Sequence, residues 1–120
     1  MIKKRSKLLF LLILVFTFNA WGKDGLVVYS GRHEKFVRPA MDEFSKKTGI
    51  KVYLLNSKST ALINRIKLEG KNTKVDAFIS NDAGILQIGS DMGLFKPISK
   101  EVIQGIDKNY RATDNTWVGL

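Results

Sequence analysis

One run of residues, Leu26 to Val52, constrains the fold of this chain more than any other part of it. Leu26-Val27-Val28-Tyr29-Ser30 is apolar and β-branched, the mark of a strand buried on both faces of a parallel sheet. It ends in a polar loop, Gly31-Arg32-His33, that carries the only histidine. A helical stretch then runs to Lys47-Thr48-Gly49, and Ile50-Lys51-Val52 leads into a second strand. Pro39 suits the first turn of a helix, where its missing N–H costs nothing. The main helix is therefore expected from about Val37 to Thr48, with Glu34 to Phe36 a turn or one loose helical turn before it. Gly49 fits a left-handed C-terminal cap.

The pattern repeats along the chain. Lys51 to Leu55 reads as the second strand, and Ser59 or Thr60 can cap the helix after it. Leu62, Ile63 and Ile66 give that helix its apolar face, Arg65, Lys67 and Glu69 are expected outward, and Gly70 ends it. Ala77 to Ser80 is the third strand, followed by a helix capped by Asn81 or Asp82 and closed at Gly93. Leu94 to Ile98, around Pro97, is expected to be extended, Ser99 to Ile103 to make a helical turn or two, and Trp117 to Leu120 to begin another strand. Alternating strands and helices give an α/β fold, a parallel sheet with helices on both faces.

The first 22 residues stand outside that pattern. Lys3, Lys4, Arg5 and Lys7 form a positive head, Leu8 to Phe18 is apolar and uncharged, and Ala20 and Gly22 are small residues at the positions a signal peptidase reads. The apolar run is well short of the ~20 residues that span a bilayer. Residues 1–22 are thus expected to be a cleaved secretory signal and 23–120 the folded part, delivered to the periplasm. No cysteine follows the apolar run, which excludes a lipid anchor there, and the absence of cysteine excludes disulfides and thiolate metal sites.

Beyond the signal, 16 basic and 11 acidic residues remain, scattered rather than gathered into a stripe. That argues against a nucleic-acid partner, whose binding face concentrates its bases. Catalysis finds no support: there is no GxGxxG, phosphate-binding loop or GxSxG, and a lone His without Cys assembles no triad. Asp76 reads as a residue that holds a strand entrance.

What remains are three polar loops, each after a strand and before a helix. They are Ser30-Gly31-Arg32-His33, Asn56-Ser57-Lys58-Ser59-Thr60 and Ser80-Asn81-Asp82. In an open parallel sheet they converge on the rim where ligands bind. The free N–H groups of helix starts favour an anion there. Ser30, Gly31, Arg32, Ser57, Ser59 and Ser80 are the candidate anion-binding residues, although turn and cap chemistry alone would supply the same residue types. His33 is either a solvated loop histidine or a metal ligand.

The strand Val28-Tyr29-Ser30, the His-bearing loop, the closing Thr48-Gly49-Ile50-Lys51-Val52, Asp76-Ala77-Phe78-Ile79-Ser80, Asp82-Ala83-Gly84 and Trp117-Val118-Gly119-Leu120 resemble the ferric-iron-binding solute receptors of bacterial ABC importers. The resemblance covers Leu26 to Leu120. It implies the first lobe of a two-lobed periplasmic binding protein, not an enzyme. Ferric iron, with a synergistic anion, would be the ligand, an inner-membrane ABC permease the partner, and the complete protein a monomer. By the same resemblance His33 is the candidate metal ligand, with Asn81 and Asp82 where the family places a carboxylate. Asn81 departs from that pattern, and Glu34 stands where some members have a tyrosine. The family's adjacent tyrosine pair has no counterpart, because Tyr29, Tyr53 and Tyr110 are all isolated. The chain is therefore expected to be an incomplete, N-terminal segment. The alternatives are a receptor of the same fold for thiamine, a polyamine or an inorganic anion, and a small exported domain with no transport role.

Overall fold

The computed structural model describes residues 24–120, so the expected signal segment lies outside the described residues. Strand β1 (Gly25–Ser30), helix α1 (Glu34–Thr48), strand β2 (Lys51–Asn56), helix α2 (Ser59–Glu69) and strand β3 (Ala77–Ile79) follow in order. Helix α3 (Ala83–Asp91) and a single turn, α4 (Lys100–Ile103), complete the regular structure, with short 3-10 turns at Gly70–Asn72 and Lys108–Tyr110.

The sheet is parallel throughout, in the order β2-β1-β3. Tyr29 is aligned with Leu55 on one side and Phe78 on the other, and Ser30 with Asn56 and Ile79. The first crossover runs from β1 out to β2, and the second runs from β2 back past β1 to β3, so the two go in opposite directions. Right-handed connections, the near-universal choice, then put α1 on one face and α2 on the other. The α/β expectation holds.

Alternate residues of β1 serve the two faces, because successive side chains point to opposite sides of a strand. Tyr29 joins Leu62 and Ile66 of α2 in the core cluster, with Val27, Leu55, Val75, Phe78 and Leu94 packed around it. Leu62, the largest fully buried side chain among the described residues, supplies roughly 1.5–3 kcal/mol of hydrophobic stabilisation by its burial. Val28 and Ser30 are buried on the opposite side of the same strand. Helix α1 packs on β2, yet Val37 is its one fully buried residue and Phe36 stays 59% exposed. This helix is lightly held.

Several local expectations need correction. Helix α1 begins at Glu34, three residues earlier than Val37, because His33 caps it and Phe36 N–H donates to the His33 carbonyl at 3.0 Å. Pro39 therefore lies inside the helix rather than in its first turn. Neither Ser59 nor Thr60 caps α2; Lys58 holds that position without a side-chain bond, and Ser59 is the first helical residue. Glu69 turns inward rather than out, its carboxylate accepting from Tyr29 Oη (2.9 Å), Arg65 Nε (2.7 Å) and Thr73 Oγ1 (2.7 Å). Strand β3 stops at Ile79. Trp117 to Leu120 forms no strand; Val118 makes only an isolated antiparallel bridge with Arg111.

Other expectations hold. Gly49 adopts the left-handed conformation (φ 72°) that closes α1, and its N–H donates to Ser45 O. Asp82 caps α3 through Gly84 N–H at 2.7 Å. Asp76 holds the start of the β1–β3 pairing, with Oδ2 accepting from Val27 N–H at 2.8 Å. Among the described residues no helix is long and apolar enough to cross a membrane.

Candidate functional site at the strand C-termini

Parallel pairing delivers the carboxyl ends of β1, β2 and β3 to one rim, so the three polar loops meet there. Direct bonds join them. Gly31 N–H donates to Ile79 O at 2.8 Å, and Ser57 N–H donates to Ser30 O at 3.1 Å. The hydroxyls of Ser59 and Ser80 lie 3.1 Å apart, bridging the second loop to the third. Position 31 has to be glycine, because a Cβ there would overlap the Ser59 hydroxyl.

The first and third loops share one local device. Ser30 Oγ accepts from Arg32 N–H (3.2 Å) and its proton goes to Arg32 O (3.1 Å). Ser80 Oγ accepts from Asp82 N–H (3.1 Å) and donates to Asp82 O (3.1 Å). A hydroxyl has one proton to give. With Ser80 donating to Asp82 O, Ser59 is the donor in the bond between the two serines.

Asn56 is a rim residue whose role the sequence did not disclose. Its Nδ2 donates to Ser30 O (3.0 Å) and to Arg32 O (2.6 Å), using both amide protons. Each of those carbonyls now accepts two bonds, Ser30 O also from Ser57 and Arg32 O also from Ser30 Oγ. Two lone pairs are thereby filled. The Ser30 and Arg32 carbonyls are unavailable to a cation. The only signal for Asn56 in the sequence is its polar side chain at the end of an apolar strand.

His33 is exposed and sits at the N-cap of α1, where Nδ1 accepts from Lys35 N–H at 3.4 Å. Neutral imidazole has one lone pair for either a hydrogen bond or a metal. Capping and ligation therefore compete at this residue. The His33 ring meets Phe36 edge-on, with centroids 6.2 Å apart, while Arg32 and Lys35 approach the same Phe36 ring at 5.6 and 4.9 Å. This leaves a basic, partly aromatic corner on the rim. Glu34 points along the helix to Arg38 (2.6 Å), an exposed pair worth little to stability.

Asn81 and Asp82 are exposed at the start of α3. Asp82 Oδ1 is committed to Gly84 N–H, which leaves the other carboxylate oxygen for a ligand. The loops bearing His33 and Asp82 are neighbours through the Gly31–Ile79 bond, but the two side chains make no direct contact. Among the described residues, no group of three or more His, Asp or Glu side chains forms a ready-made metal site. The donor set fits a hard cation in kind, an imidazole with oxygen donors, and falls short in number.

The tyrosines lie away from this rim chemistry. Tyr29 is buried and donates to Glu69; burial, then the Glu69 carboxylate, pushes its phenol above the ordinary range. Tyr53 is an exposed strand residue with Lys51 Nζ 4.8 Å from its ring centroid, and Tyr110 ends a 3-10 turn. A cavity of about 890 Å³ opens between β3 and the C-terminal segment, lined by Phe78, Leu86, Phe95 and Trp117 among others. None of His33, Asn81 or Asp82 lines it.

No family model matches the chain. It is 30% identical over 110 residues to a Fe(3+)-binding periplasmic protein of Serratia marcescens, covering 91% of this chain and 32% of that protein. It is 32% identical over 94 residues to iron uptake protein A1 of Synechocystis, covering 78% of this chain and 26% of the relative. Among solved structures, the ferric binding protein from Campylobacter jejuni superposes with a TM-score of 0.74 at 35% identity, over 78% of this chain and 30% of that one. A Trichodesmium protein in complex with iron and citrate gives 0.74 at 38%, over 79% and 30%. The chain spans between about a quarter and a third of the length of the curated relatives it matches. By sequence and by fold, it is homologous to part of the ferric-iron-binding periplasmic proteins.

Proposed function

We propose that the chain is part of the substrate-binding component of an ABC importer, one that captures ferric iron in the periplasm and hands it to a membrane permease. The observation that carries this reading is the meeting of three post-strand loops on one rim, with His33 on the first and Asp82 on the third. Similarity to proteins named for iron binding or iron uptake supports the choice of ligand. The complex of the Trichodesmium protein with citrate supports a carboxylate anion as companion to the metal. Residues 1–22 serve as a cleaved export signal, and the chain acts by binding rather than by catalysis.

His33 supplies a nitrogen donor, Asp82 a carboxylate oxygen, and Asn81 a neutral oxygen. Ser59, Ser80 and the basic corner at Arg32 favour the anion. Ser57 lends its N–H to the Ser30 carbonyl, which ties the second loop to the first. These donors fill only part of a ferric coordination sphere. The remainder comes from a region that corresponds to the part of the relatives this chain does not span, by closure of a second lobe over the rim.

Titration of the chain with ferric citrate, followed by visible absorbance and calorimetry, tests the reading. Weak, rapidly exchanging binding that disappears in His33→Ala is expected. Binding that is indifferent to His33 would place the site elsewhere.

A further inference from the structure

We infer that Asn56 is the positioning residue for the His33 loop, an assignment that rests on reading His33 as a ligand. Residues 31–33 project past the end of β1 and precede a helix that buries only Val37 fully, so packing alone does little to fix them. Hydrogen bonds do the fixing instead. Ser30, fully buried, binds both the N–H and the carbonyl of Arg32. Gly31 is tied to β3 through Ile79. The one side chain that reaches the loop from β2 is Asn56, and it grips two carbonyls, those of Ser30 and Arg32, at 3.0 and 2.6 Å.

The amide is the right group for this task. Both carbonyls are acceptors, so the partner needs two protons on one short side chain. Asn has them, while Asp in ionised form has none. Arg32 O belongs to the peptide that enters His33, so movement of that carbonyl swings the His33 backbone directly. Outer-shell partners of this kind orient ligands, and their loss commonly weakens metal affinity by roughly tenfold or more. Asn56 touches no metal in this scheme; it acts through the position of His33.

His33 is the only histidine in the chain, so its imidazole protons give one unambiguous NMR reporter. The experiment compares the parent chain with Asn56→Ala and Asn56→Asp, using Ile66→Val as a core-weakened control whose side chain makes none of the loop's hydrogen bonds. Without metal, both Asn56 variants should shift the imidazole signals and speed exchange of the Lys35 amide, while Ile66→Val leaves both unchanged. With ferric citrate added, the paramagnetic ion should broaden the imidazole signals of the parent. Half-broadening should then require roughly tenfold more ferric citrate in Asn56→Ala. A folded Asn56→Ala with unmoved imidazole signals and an unchanged Lys35 amide overturns the positioning role. If the metal-free signals move but ferric citrate fails to broaden His33 even in the parent, the positioning role stands and the reading of His33 as an iron ligand falls.

Discussion

Gly31 abuts Ser59 so closely that the space for a Cβ at position 31 is already taken by the Ser59 hydroxyl, with the Ser59 Cα itself 2.9 Å away. That contact locks the loop after β1 against the start of α2. Gly31→Ala should therefore overpack the rim and lower stability by about 1–3 kcal/mol. Ser59→Gly in the same chain should recover only part of the loss, because the backbone contact remains. Urea midpoints at unchanged m-value give the comparison. Full recovery in the double variant would mean that the side chain alone sets the distance.

The capping role of His33 separates from any role as a ligand. Asn is among the best N-cap residues and Ala among the poorest. His33→Asn should keep the parent's thermal stability, while His33→Ala should lose about 0.5 kcal/mol, the low end for a cap whose bond is long at 3.4 Å. Both variants should lose the imidazole's contribution to ferric binding. Equal destabilisation by Asn and Ala would show that the ring contact with Phe36, and not the cap, stabilises the helix start.

Tyr29 and Glu69 set opposite limits on the pH range of stability. Hydrogen bonds from Arg65 and then Thr73 hold the Glu69 carboxyl below its usual range. Its contribution is complete above the unfolded value of about 4.3 and is lost as pH falls through the lower folded value. Burial and then Glu69 raise the Tyr29 phenol, so its contribution is complete below about 10 and is lost as pH rises through the higher folded value. Subtracting the Tyr29→Phe stability profile from the parent's should leave a plateau near neutrality that shrinks at strongly alkaline pH. A difference that stays flat there would rule out the phenol as the alkaline limit.

Asp114 fastens the C-terminal segment to α3. Its carboxylate accepts from Thr116 Oγ1 (2.7 Å), Thr116 N–H (3.2 Å) and Ser90 Oγ (3.2 Å), and Trp117 Nε1 donates to Gln87 Oε1 nearby (3.0 Å). The Thr116 hydroxyl and amide, then Ser90, depress the Asp114 carboxyl. The fastening is therefore complete above about 3.9 and releases only as pH falls through the lower folded value. In a Trp21→Phe background, where Trp117 is the sole tryptophan, Asp114→Asn should shift the emission to the red at neutral pH. Acid should shift the unmodified Asp114 protein the same way, at pH values below the usual Asp range. An unchanged spectrum in Asp114→Asn would place the hold on Trp117 with Gln87 alone.

Features that depend on neighbours along the chain were legible in the residues alone. The apolar run Leu26–Ser30, the spacing of Leu62, Ile63 and Ile66, the cap at Asp82 and the left-handed Gly49 follow from periodicity and local backbone chemistry. Parallel strands end on one side, so the rim and its three loops followed too. Which polar groups meet across the sheet depends on how the strands assemble. Asn56 reaches Ser30 from 26 residues away, and Tyr29 turns Glu69 inward from 40 residues away. Ser59 leaves its expected cap for a hydroxyl on the third loop. His33 starts its helix three residues early, although Pro39 suggested a later beginning. Hydrophobic periodicity encodes which face is buried, but hydrogen-bond partners are chosen by strand order and register. The order β2-β1-β3 is what brings Asn56 beside Ser30, and Ile79 beside Gly31.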